Sequence, residues 1–273
     1  NSDNNTAELV LKEIGLATSG EGGRTAGADA VIATLADWGV ATEGLVVAEP
    51  VRQAMRDCLT TQRVHLRATL EELDEGTPAI VSRAAELTLS LPDPESCAEP
   101  ESVMEVPTEN RERVLAARGH LAEAEAAWAA GEVQRALNAV DAGLEALDGA
   151  VIPRTAARLH LARSRYEDGR GDTQLSLQDL ETALRFAARA KDDRLLAQLW
   201  ILRAHHAIND GNLETATALV EVADLAVEQS GRPDDLEVSY LGFLASLYWK
   251  TGEFDEGIAA AGPGRPVYAI GRA

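Results

Sequence analysis

From residue 110 onward, apolar positions recur three and four residues apart in paired arms, and a short polar turn built on glycine divides each pair. Four windows stack on those turns: AWAAGEVQRAL, RYEDGRGDTQL, AINDGNLETAT and YWKTGEFDEGI. With Gly131, Gly169, Gly211 and Gly252 as leading glycines, a small residue lies seven positions before each: Ala124, Ala162, Ala204 and Ala245. A second small residue follows each turn: Ala136, Ser176, Ala216 and Gly257. The first set is spaced by 38, 42 and 41 residues, the second by 40, 40 and 41. Small side chains let two antiparallel helices approach closely, while Leu137, Leu180, Val220 and Ile258 fill the seam beside them. A period near forty residues with helical spacing on both arms predicts stacked helix pairs. The expected fold is all-α: a right-handed helical-hairpin solenoid of about four repeats over residues 110–261, preceded by a smaller helical segment.

In this frame Gly169-Arg170-Gly171-Asp172 is the turn of the second repeat, two residues longer than its neighbours. Gly169 is expected to end the first arm in the left-handed conformation, and Asp172 or Thr173 to cap the next. An adhesive tripeptide lacks supporting context, and Asp168 and Asp172 would repel a phosphate.

Upstream, residues 1–48 read as two short helices around the link ATSGEGGRTAGAD. Residues 49–109 form a second segment. A long helix starts at Glu49 with Pro50 at its first turn and stops before Gly76; another starts at Thr77-Pro78. Four prolines then interrupt SLPDPESCAEPESVMEVP. After Ala261 the tail 262–273, GPGRPVYAIGRA, cannot extend the last helix, which leaves that repeat's seam partly open.

Composition narrows the function classes. The chain of 273 residues carries a formal net charge of -20, so it has no basic footprint for nucleic acid and is repelled by anionic membranes. Eleven acidic residues and one basic residue, Arg83, lie between Glu71 and Glu109, which suits a solvated face. Five histidines and two cysteines show no metal-ligand spacing, so neither a metal nor a cofactor is expected. His205 and His206 are adjacent and point about 100° apart on a helix. His206 is expected to pack within its repeat and His205 to face the groove. No nucleophile elbow is present, and the sequence reads as that of a non-enzyme.

Counting back from the leading glycines gives two rows on the first helices. One holds Glu125, Arg163, His205 and Ser246; the next holds Trp128, Tyr166, Ile208 and Trp249, with Lys250 beside it. Two readings stand. Either the three aromatics anchor a peptide in a groove, or they are core.

The small–glycine–small spacing and the phrase LEVSYLGFLASLYWKTGEFDEGIAAA resemble tetratricopeptide repeats. RDCLTTQRVHLRATLEEL and IVSRAAELTLSLPDPESCAEPE resemble the segment preceding such repeats in large myxobacterial serine/threonine kinases. The resemblance spans roughly residues 50–261, and the kinase motifs themselves are missing. It implies a non-catalytic protein- or peptide-binding module of a bacterial signalling protein. A self-associating scaffold, homodimeric through the open last repeat, and an unrecognised enzyme are the alternatives. In that family the segment lies outside the cytoplasm; otherwise the chain would be cytoplasmic. An extracytoplasmic place, with an even cysteine count, implies a Cys58–Cys97 disulfide, against the alternative of two separate buried thiols.

Overall fold

The structure, a computed structural model, describes residues 49–75, 78–89, 91, 97, 108–147 and 152–261. Among them are ten α-helices and no strand, so the chain is all-α. The expected helices of residues 1–48 and the tail 262–273 lie outside the described residues. The chain divides into two compact units, Asn1–Val151 and Ile152–Ala273.

The first unit contains α1 (Glu49–Glu75), α2 (Pro78–Leu89), a short 3-10 turn at Thr108–Asn110, α3 (Arg111–Ala130) and α4 (Val133–Ala146). The boundary read at residue 110 therefore falls inside this unit. Proline at the first turn of α1 and α2 gives up an amide hydrogen that a helix start leaves unpaired anyway. Helices α3 and α4 form a hairpin, and α1 and α2 both pack on α3. Apart from Val114, the buried side chains of α3 are all alanines, which lets its neighbours approach closely. Two ion pairs join α1 to this hairpin: Asp57 with Arg111 at 2.6 Å, and Glu72 with Arg135 at 2.7 Å. Cys58 of α1 is bonded to Cys97, closing a separation of 39 residues.

The second unit holds three hairpins: α5 (Pro153–Arg170) with α6 (Thr173–Ala190), α7 (Asp193–Asn209) with α8 (Leu213–Gln229), and α9 (Asp234–Thr251) with α10 (Phe254–Ala261). Across hairpins, α6 packs on α7, and α9 packs on both α7 and α8. Asp172, Asp192 and Asn212 cap α6, α7 and α8, each accepting from a backbone N–H three residues on, at 3.1–3.2 Å.

One turn differs from the sequence reading. Helix α5 runs through Gly169 to Arg170, and Gly171 is the left-handed cap at φ 90°. The loop is not lengthened. The left-handed glycines of these turns, Gly131, Gly171, Gly211 and Gly252, follow at 40, 40 and 41 residues, matching the spacing after the turns. Ser164, fully buried, takes the small position assigned to Ala162.

Candidate functional site

The corrected register moves two of the expected groove residues. Six and three positions before Gly171 stand Arg165 and Asp168, not Arg163 and Tyr166. Tyr166 instead shares its register with His206 and Leu247, and all three are buried at 2–3% exposure. It is core.

The other residues separate as well. Glu125 and Trp128 belong to the first unit, where the exposed Glu125 lies 3.4 Å from His65 Nδ1 and Trp128 is half-buried. In the second unit, Ile208 is buried in a cluster with Tyr240 and Phe243. His205 meets the Phe243 ring edge-on at 5.6 Å. The Ser246 hydroxyl donates to its own helix at Gly242 O, 2.8 Å away. Trp249 is 70% exposed against Phe254, and Lys250 is exposed at the end of α9. Within the second unit, then, the row of large side chains divides into core (Tyr166, Ile208) and surface (Trp249).

Arg163 has structural work. Its guanidinium donates to Asp179 from Nε at 2.8 Å and from Nη2 at 2.7 Å, while His160 Nδ1 lies 2.8 Å from the same carboxylate. The His160 ring stacks on Phe186. Burial pushes the Asp179 carboxyl up, and the bonds from His160 and Arg163 outweigh it, holding the group below its usual range. The Arg163 charge is taken up in this clamp.

A second polar cluster joins three helices. Ser164 Oγ of α5 lies 3.1 Å from Ser176 Oγ of α6, which lies 3.3 Å from His206 Nε2 of α7; His206 Nδ1 faces Asp168 Oδ1 at 3.7 Å. Serine, histidine and aspartate in this order resemble a nucleophilic relay. Both hydroxyls, however, belong to residues with 0% exposure, so no substrate carbonyl reaches them. The cluster satisfies buried polar atoms between hairpins and ties α5, α6 and α7 together. Adjacent-histidine reasoning placed His206 inside. Ser176 and Ser164, 30 and 42 residues before it along the chain, gave no sequence signal.

Among the described residues, no group of three or more His, Cys, Asp or Glu side chains gathers to hold a metal ion. No described helix is long and apolar enough to cross a membrane.

One family pattern matches the chain, the D-Ala-D-Ala carboxypeptidase 3 (S13) family, over residues 1–71. No curated protein and no solved structure matches it. The matched segment begins beside Ser2-Asp3-Asn4, a triplet that serine acyl-transferases of the penicillin-binding class use together with Ser-x-x-Lys and Lys-Thr-Gly. Sequence reasoning missed that triplet, which lies outside the described residues. Lys250-Thr251-Gly252 also matches in letters, but there the peptide ends a helix. Gly252 is the left-handed cap of α9, and the Thr251 hydroxyl donates to Tyr248 O at 3.2 Å. The family match overturns the expectation of a non-catalytic, kinase-associated tetratricopeptide module, and with it the exclusion of enzymatic function: residues 1–71 are similar to a carboxypeptidase family.

Proposed function

We propose a peptidase-related function directed at peptides that end in D-Ala-D-Ala, with the segment 1–71 engaging that terminus. The observation that carries this reading is the family match over those residues. Ser2-Asp3-Asn4 gives it a chemical footing. A hydroxyl and a carboxamide two residues apart supply donors and acceptors suited to a peptide's amide and carbonyl groups. No serine of the chain is followed three positions later by lysine, so binding and turnover are to be read separately.

We further infer that the hairpins of the second unit stack as a right-handed solenoid. The 40- and 41-residue register and the packing of α6 on α7 and of α8 on α9 support this. In this reading the hairpins of the second unit are a scaffold, and the peptidase-related chemistry belongs to residues 1–71.

The test is incubation of the full chain with an acyl-D-Ala-D-Ala peptide, with free D-alanine followed by mass spectrometry. Release that falls about tenfold or more in Ser2→Ala or Asn4→Ala is expected, as loss of one positioned polar contact costs about that much. A chain that neither binds nor trims the peptide contradicts the reading.

A further inference from the structure

Of the five histidines in the chain, His160 of α5 is arranged as a positioned nucleophile. Its Nδ1 lies 2.8 Å from Asp179 Oδ1 of α6. An ionised carboxylate only accepts, so Nδ1 carries the ring hydrogen and Nε2 keeps its lone pair. The 3.5 Å approach of Arg163 Nη2 to the same nitrogen is too long to reverse this. The ring is fixed on its face as well, stacked on Phe186 with the centres 5.7 Å apart. The side chain is 14% exposed, and Nε2 is the ring nitrogen left to solvent, since no described group bonds it.

The other histidines differ. His65 and His206 are buried, and His205 packs on the Phe243 ring. His120 is the near match, with Nδ1 3.0 Å from Glu123, but that carboxylate is 52% exposed and water competes for it. Asp179 is buried and held ionised. When a bond forms at Nε2 the ring becomes positive, and a buried carboxylate opposite offsets that charge. The surroundings indicate what the nitrogen attacks. Residues 153–190 hold seven arginines against five acidic residues, so this hairpin is positive in a chain of net charge -20. Arg189 lies over the same Phe186 ring, 5.7 Å from its centre. Such a neighbourhood favours an anionic electrophile.

We propose that His160 Nε2 is a phosphoryl acceptor for a small activated phosphoryl donor, an acyl phosphate or a phosphoramidate. The Nε2 lone pair forms the N–P bond while the bond from phosphorus to the leaving group breaks, and the leaving group takes that electron pair. The ring keeps its Nδ1 hydrogen and gains one positive charge, which faces Asp179. The site lies in the second unit and does not depend on the function proposed for residues 1–71.

The experiment incubates the full chain with phosphoramidate and follows acid-labile phosphate on each histidine by peptide mass spectrometry. His160 is expected to be labelled at least about tenfold faster than His120, although the His120 side chain is the more exposed, at 37%. Asp179→Asn should remove most of that advantage and leave the labelling of His120 unchanged, with circular dichroism confirming that the variant keeps its helices. Should Asp179→Asn unfold, Phe186→Leu takes its place: it frees the ring face and should lower the same ratio. Labelling of His120 as fast as His160, or of neither, overturns the proposal. So does a folded variant labelled at His160 as fast as the wild type, since the Asp179 and Phe186 contacts then only hold the hairpin together.

Discussion

Arg163 and Arg165 lie two residues apart on α5 and are expected to behave oppositely. Arg163→Ala leaves the buried Asp179 without its two-pronged partner, a loss worth roughly 2–4 kcal/mol. Arg165 is exposed, and Arg165→Ala should change stability by about 0.5 kcal/mol or less. Urea denaturation of the two variants checks the corrected register; equal losses would return Arg163 to the surface row. Acid tests the buried histidines. Burial lowers the His65 imidazole to about 4, and burial together with the charge of His206 lowers His205. Both are held neutral in the fold, so the unfolded chain takes up protons first as pH falls. The stabilisation from His65 is whole above the ordinary histidine value near 6.5 and is lost between that value and about 4, and that from His205 likewise begins to fall below the ordinary value. For His65 the loss is on the order of 2–3 kcal/mol, and His65→Phe should flatten that part of the pH–stability curve. An unchanged slope would mean that the ring is not shielded.

At the scale of elements, the turn at Gly169–Gly171 separates two glycines by sign. Gly171 sits at φ 90°, where a side chain is strained, so Gly171→Ala should cost about 1 kcal/mol. Gly169 lies inside α5, so Gly169→Ala should stabilise by roughly 0.5–1 kcal/mol. Thermal melts read both, and reversed signs would restore the longer loop. This turn also marks what the sequence could and could not reveal. The limits of α1 at Glu49 and Glu75 were legible because proline and glycine act locally. Two glycines two residues apart offered equivalent local signals, and only the backbone conformation chose between them. The choice moved Tyr166 from a groove into the core. The Ser164–Ser176–His206 cluster was illegible for a different reason: it is assembled by packing between hairpins, and no spacing along one helix announces it.

At the scale of the molecule, two units carry different constraints. The Cys58–Cys97 bond closes a 39-residue separation in the first, so reduction should remove roughly 3–4 kcal/mol from that unit. Hydrogen exchange should quicken in α1 and α3 and stay unchanged in α7; uniform quickening would show that the units unfold as one. The first 71 residues, similar to a D-Ala-D-Ala carboxypeptidase family, are where the proposed function is to be tested. The most direct measurement is calorimetric titration of the full chain with an acyl-D-Ala-D-Ala peptide and with its L-Ala-L-Ala stereoisomer. The account predicts saturable binding of the D,D peptide at least about tenfold tighter than of the L,L form, weakened by Asn4→Ala. Equal binding of the two stereoisomers, or no heat from either, would contradict it.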